Sequence, residues 1–443
     1  MSNQPDRLSP FACDRTADAL PARRRRQPDP DPCVPQESSW LRLIERFSGS
    51  LLRKTMSGLQ FGQIVLEQGD KSERFGDLSK VALSGHVKVL APRFYRRILS
   101  DGVLGAAESY LEGEWVSDEL TDVFRVLLKN EHVIAKFSSS LTWLSSLGHR
   151  LQHFRNRNSR AGSRRNIHEH YDLGNSFFEL FLDPSMMYSS AIFPSEQTSL
   201  EEGSMEKVDR ACRQLQLKPT DELVEIGTGW GTLAIHAASR YGCRVTTTTI
   251  SDEQYRMATQ RVAAAGLDDR VTVLKRDYRD LTGSFDKLVS IEMIEAVGRR
   301  YLPGYFEKCS QLLKDDGAML IQAIVLPEQR YAGYEESVDF IQKYIFPGGF
   351  LPSISMMQQF VTQKTPLRML ALDDFGMHYA RTLRLWNERF HEQLDAVRAL
   401  GFDERFIRMW RYYLCYCEAA FLERAIGLVQ VLWAKPGSSL GTA

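Results

Sequence analysis

Long apolar runs are missing from this chain. No segment of its 443 residues approaches the ~20 apolar positions that a membrane-spanning helix needs. The stretch Met1 to Val34 also lacks the apolar core of a secretory signal, so a cytoplasmic location is expected, with any membrane approached from one side. A surplus of either charge is missing too. Lys+Arg and Asp+Glu both number 56, for a net charge of +0, which removes the long-range field of a nucleic-acid binder. Cysteine is sparse and scattered. The seven are an odd number with no C-x-x-C pair or His-rich spacing, so neither a zinc site nor a disulfide framework is expected and the thiols are read as reduced.

What is present is ordinary globular composition, 43% hydrophobic and 25% charged, enough for a sizeable core in about two or three domains. Residues 1–38, rich in Pro, Asp, Ser and Arg, read as a disordered tail, and the run Arg23 to Arg26 as solvated. Residues 39–147 read as a small α+β unit. Strand-like pieces fall at Ile64–Leu66, Val81–Leu83 and Val87–Leu90, and helical pieces at Phe94–Leu99, Gly105–Leu111 and Val123–Leu128. Residues 148–166 form a basic linker with Arg150, Arg155, Arg157, Arg160, Arg164 and Arg165. It suits an anionic lipid surface, at about 1 kcal/mol per basic residue, as well as it suits solvent. From 167 to 436 strands and helices alternate, which predicts an α/β fold with a doubly wound, mostly parallel sheet; residues 437–443 read as a short disordered tail.

Inside that alternation, Glu225-Ile226-Gly227-Thr228-Gly229-Trp230-Gly231 follows a predicted strand, Leu223–Ile226, and opens a predicted helix, Thr232–Arg240. Nucleotide-type ligands sit at such places in open α/β sheets, where glycines let the backbone approach the ligand. The spacing is G-x-G-x-G, not G-x-G-x-x-G, which suits S-adenosylmethionine better than a dinucleotide pyrophosphate. Glu225 is placed to meet a ligand amino group. After the second strand, Thr249, Ser251 and Gln254 offer polar groups for a ribose, although Ser251 with Gln254 also reads as a capping box. After the third strand, Asp277 could hold the adenine amino group, or belong to a charged turn.

A set of motifs, in order, resembles the cyclopropane-fatty-acyl-phospholipid synthase family. They include Tyr171–Asn175, Tyr188–Ala191, Glu225–Gly231, Thr249–Gln254, Asp277–Leu281, Glu295–Gly298, Lys343–Gly349, Leu351–Ser353 and Arg408–Leu414. The resemblance runs from about Ser57 to Trp433 and is weaker in the first region, which is similar to a lipid-engaging domain. It implies a class I methyltransferase fold with a helical cap over an acyl site. The implied cofactor is S-adenosylmethionine, and Tyr171, Tyr188, Ser189 and Tyr278 join the residues above as its expected neighbours. The implied acceptor is a cis double bond in a membrane phospholipid; a homodimer is a further expected partner, and nucleic acid is not.

The chemistry sets demands on such a site. An alkene attacks the sulfonium methyl and becomes a carbocation, so water must be excluded and the charge faced by aromatic rings. Tyr171, Tyr188, Phe193, Tyr344, Phe346 and Tyr379 are the candidate rings. A weak base must then take a proton. The resemblance assigns this to a bicarbonate held by Ser190, Glu295, Gln322, Ile324 and Tyr379, with Ser190 standing for the family's Cys and Gln322 for its His. Ala296 likewise replaces the His that commonly follows Glu295. The expected product is a cyclopropane fatty acid; those departures keep methyl- or methylene-branch addition without ring closure open as the alternative, beside a catalytically idle lipid binder. Cys417 matches a family cysteine once proposed as catalytic. Its helix carries Phe406, Trp410, Tyr413 and Phe421, so a buried thiol lining the acyl pocket is the preferred reading.

Overall fold

The structure, a computed structural model, describes residues 39–133, 173–334 and 339–440. The N-terminal tail, the basic linker and Tyr171 lie outside the described residues. Leu43–Ala443 forms one compact unit; the unit before it, Met1–Arg42, is described only where the helix Ser39–Met56 begins.

Two sheets organise the larger unit. The first has four strands, β1 (Gly62–Gln68), β2 (Lys71–Asp77), β3 (Ser84–Val89) and β4 (Trp115–Val116), in the order β2-β1-β3-β4. Sequence periodicity misses β2 because it is a polar edge strand, mostly exposed, paired to β1 through a turn at Gly69 (φ +56°). The expected strand at Val81–Leu83 is a loop; its Leu83 carbonyl accepts from the Gln63 N–H at 2.8 Å. The two helices expected at Phe94–Leu99 and Gly105–Leu111 are arms of one element, Arg93–Leu111, kinked at Gly102. The helix Leu120–Lys129 fastens this sheet to the rest of the unit. Arg125 and Lys129 pair with Glu423, and Phe124 packs edge-on to Tyr412 at 4.8 Å.

The second sheet has seven strands: β5 (Glu222–Ile226), β6 (Arg244–Thr249), β7 (Val271–Lys275), β8 (Phe285–Ile291), β9 (Leu313–Val325), β10 (Arg368–Asp374) and β11 (Gly427–Ala434). Their order is β10-β11-β9-β8-β5-β6-β7. Strands β5 to β9 pair in parallel, and β10 and β11 add an antiparallel edge. Neighbouring residues on one strand enter opposite cores. Val224, Leu288 and Ile321 pack on one side with the helix Leu302–Leu312, while Leu223, Val289 and Leu320 pack on the other with the helix Leu200–Gln214. A sheet buried on both faces needs such continuous apolar strands, and this is the doubly wound arrangement that the alternation implies. No helix among the described residues is long and apolar enough to cross a membrane.

Candidate active site

The carboxyl ends of β5, β6, β7 and β8 open on one cavity of about 690 Å³. This is where open α/β sheets bind ligands, because the strand-to-helix turns expose backbone groups there.

The loop after β5 forms one wall. Gly227, Gly229 and Gly231 all have positive φ, +102°, +51° and +88°. Their roles differ. A Cβ on Gly229 would project into open space, so the loop there is a cradle that a side chain would fill. Gly231 instead lets the helix Thr232–His236 approach Ala258, whose Cβ would lie 3.2 Å from an added Cβ. Glu225 is buried at the root of the loop and accepts from Thr247 Oγ1 at 2.6 Å; burial, against that bond and the charge of Lys207, pushes its carboxyl up to about 8. Trp230 donates its indole N–H to Asn175 Oδ1 at 2.8 Å.

The other expected cofactor neighbours divide. Tyr188, Ser189, Thr228, Thr249, Gln254, Asp277 and Tyr278 line the cavity. Gly231 and Ser251 do not: Ser251 caps the helix Asp252–Ala264 through the Gln254 N–H. The Gln254 side chain does not complete a capping box; its Oε1 accepts from Thr249 Oγ1 at 2.8 Å. Asp277 is clamped by Arg279, which donates from its backbone N–H, Nε and Nη2.

The opposite wall holds a carboxylate that the sequence reading passed over. Glu292 directly follows β8, at φ +48°, a left-handed conformation uncommon outside glycine. Its backbone N–H is held by the Gln322 carbonyl at 2.9 Å. Three donors converge on its side chain. Oε1 accepts from the Ser190 N–H at 3.0 Å and from Gln322 Nε2 at 2.7 Å, and Oε2 accepts from the Tyr379 hydroxyl at 2.7 Å. Gln322 is fixed in turn by Gln430, whose Nε2 donates to its Oε1 at 2.9 Å. Burial raises the Glu292 carboxyl, and Lys207 together with these three donors opposes the rise.

Of the five residues that the resemblance assigns to a bicarbonate, Ser190, Gln322 and Tyr379 are gathered around Glu292, while Ile324 bonds Glu295 instead. Ser190 contributes its backbone N–H, while its hydroxyl donates to the Ala191 carbonyl. Glu295 is not a fourth donor to this cradle. Its Oε1 accepts from the Ile324 N–H at 2.6 Å, and its Oε2 finds no hydrogen-bond donor among the described residues. Burial and the neighbouring Glu292 push Glu295 up to about 8, so it is largely the neutral acid at pH 7. The sequence signal for Glu292 is its place at the carboxyl end of a parallel strand, three residues before the Glu295–Gly298 motif.

Aromatic and apolar side chains complete the cavity. Phe346, Tyr379, Tyr413, Cys417 and Phe421 line it, and Tyr188 and Tyr413 share a hydroxyl contact at 3.0 Å. Tyr379 stacks on Phe421 with ring centroids 4.6 Å apart. Burial raises the Cys417 thiol far above its ordinary range, which suits a wall residue and not a nucleophile. Two of the candidate rings lie elsewhere. Phe193 packs against His378, and the Tyr344 hydroxyl donates to Glu108. No group of His, Cys, Asp and Glu among the described residues could hold a metal ion.

A seven-stranded sheet of this order, with a glycine loop after β5 and a cavity beside it, defines a class I S-adenosylmethionine-dependent methyltransferase. The chain belongs to the mycolic acid cyclopropane synthetase family, whose model matches residues 158–431. It is 44% identical to a tuberculostearic acid methyltransferase of Mycobacterium tuberculosis, over 77% of this chain and 81% of that one. It is 37% identical to the cyclopropane-fatty-acyl-phospholipid synthase of Escherichia coli, over 79% and 87%. A solved mycolic acid cyclopropane synthase complexed with SAH and CTAB superposes with a TM-score of 0.58 at 30% identity, covering 61% of this chain and 98% of that one. The protein is thus an S-adenosylmethionine-dependent transferase acting on lipid acyl chains, and the open cradle at Gly229 with the polar wall of Glu225, Gln254 and Asp277 fits that cofactor.

Proposed function

We propose that this enzyme adds a methylene branch to a cis double bond in an unsaturated phospholipid acyl chain, with Glu292 as the proton acceptor. S-adenosylmethionine, when bound, supplies an electrophilic methyl group. The π electrons of the alkene form the new carbon–carbon bond and leave a cation on the adjacent carbon. A hydride shift moves that charge to the branched carbon. Glu292 then takes a proton from the new methyl group, and the electrons of that C–H bond form a pendant C=CH2 on the chain. Atoms and electrons balance without a reductant; a saturated methyl branch would require a separate reducing enzyme to act afterwards.

The observation that carries this reading is the filled cradle. A carboxylate tethered at the end of β8 occupies the donors that would otherwise hold an exchangeable anion. Burial makes it more basic, while Lys207 and its three donors favour the carboxylate, the balance that a general base needs. Tyr379, Phe346 and Tyr413 around it face the cation without supplying a strong nucleophile. A branch in place of a ring is supported by the relative named as a methyltransferase. Ring closure is the second reading, supported by the relative named as a cyclopropane synthase; it uses the same base and the same proton. The bilayer is the expected source of the substrate, approached by the N-terminal region and the basic linker.

The experiment is expression in a host lacking such enzymes, followed by fatty-acid analysis. Both products gain one CH2. Proton NMR separates them, with vinylic methylene signals expected here; upfield cyclopropane signals in their place would establish the second reading.

A further inference from the structure

Behind the cavity wall lies a lysine to which the reaction scheme gives no part. Lys207 sits on the helix Leu200–Gln214, and its relative exposure is 0%. Its Nζ donates to Ser189 Oγ at 2.6 Å. Ser189 is on the cavity wall, and the next residue, Ser190, gives Glu292 a backbone donor. A buried ammonium is too costly to keep without acids nearby. Three buried or cavity-facing acids act on it: Glu292, Asp183 and Glu225. Two of these have other support. Asp183 accepts from Ser185 and Ser204 and also faces Arg261, and Glu225 accepts from Thr247.

We infer that Lys207 is a positioning residue for proton transfer: its charge, held in place by Ser189, keeps Glu292 in the carboxylate form and so sets the pH at which the base works. The inference rests on Glu292 being the proton acceptor. The groups facing Glu292 come from four places. Lys207 approaches from the helix Leu200–Gln214, Tyr379 from Gly376–Glu392, Tyr413 from Glu404–Leu422, and Glu295 from its own loop. Lys207 is the cation among them. Burial lowers the lysine to about 8, so it remains an ammonium at pH 7. The same charge also favours the carboxylate form of Glu225 under the cofactor loop.

The test is the pH profile of kcat at saturating cofactor and lipid, for wild type, Lys207→Met and Lys207→Arg. Without the ammonium, Glu292 holds its proton to higher pH. Lys207→Met is expected to move the acid limb up by about one pH unit or more, so that kcat falls about tenfold on the acid side of the limb and recovers at higher pH. KM for the lipid is expected to stay within about twofold, and Lys207→Arg to keep its limb near that of wild type. A folded Lys207→Met enzyme with an unmoved limb, or with a loss equal at every pH, overturns the inference. If that variant does not fold, Ser189→Ala frees the ammonium and is expected to move the limb the same way by less; no movement again overturns it. Glu292→Gln separates the two ideas. Full activity there removes the base assignment itself, whereas an inactive Glu292→Gln with an unmoved Lys207→Met limb removes only the role of Lys207.

Discussion

The two walls of the cavity are built on different principles. The cofactor loop is local: Glu225 to Gly231 is seven consecutive residues, running from the end of β5 to the cap of the next helix. The base wall is assembled from afar. Ser190, Glu292, Gln322, Tyr379 and Gln430 come from a loop, the end of β8, β9, a helix and β11. A local motif tolerates change elsewhere in the chain, whereas an assembled cradle depends on every element that delivers a donor. The base wall is accordingly where members of one family can diverge in chemistry while the cofactor loop stays legible.

Substitutions on each wall sharpen that contrast. Glu292→Gln keeps size and removes the proton acceptor. Product formation is expected to fall about 10²- to 10⁴-fold, the usual worth of a positioned base, while calorimetry still shows cofactor binding. Gly229→Val should give the converse, loss of cofactor affinity by about tenfold or more in a folded protein. Its side chain enters the open cradle and its backbone sits at φ +51°. Unchanged affinity there would move the cofactor site elsewhere.

Tyr379→Phe removes one of three donors and leaves the base in place. A hydrogen bond to a charged group is worth about 1.5–3 kcal/mol, so kcat at pH 7 is expected to fall roughly 10- to 100-fold. Losing a donor to the charged form raises the pKa of Glu292, so activity should disappear at a higher pH on acidification than in wild type. An acid limb shifted downward would contradict the assignment of Glu292 as the ionised base. The smallest effect is expected for Ser190→Ala. That hydroxyl serves the Ala191 carbonyl and the cradle uses only the backbone N–H, so kcat should change by less than about threefold. A large loss would place the side chain in the chemistry after all.

The same division explains what the sequence made legible. Strands β5 to β9 and the glycine loop were readable because apolar runs and turn residues are local signals. The polar edge strand β2 carries no such signal, and β10 alternates at an exposed edge. Glu295, Tyr379, Ser190 and Gln322 were singled out through resemblance, yet their roles depend on Glu292, which swings into the cradle from a left-handed backbone that no residue pattern announces. Lys207 reads as one more basic residue on an amphipathic helix until the fold buries it.

The identity of the proton acceptor is tested most directly by bicarbonate dependence in wild type and Glu292→Gly. Glycine accepts the left-handed conformation at position 292 without strain, so this change empties the cradle and spares the backbone. Wild-type turnover is expected to be flat as bicarbonate is added. Glu292→Gly is expected to be nearly inactive in depleted buffer and to regain turnover with bicarbonate, as the free anion takes the donors of Ser190, Gln322 and Tyr379. A wild-type rate that climbs with bicarbonate, or a Glu292→Gly enzyme fully active without it, would show that Glu292 is not the base.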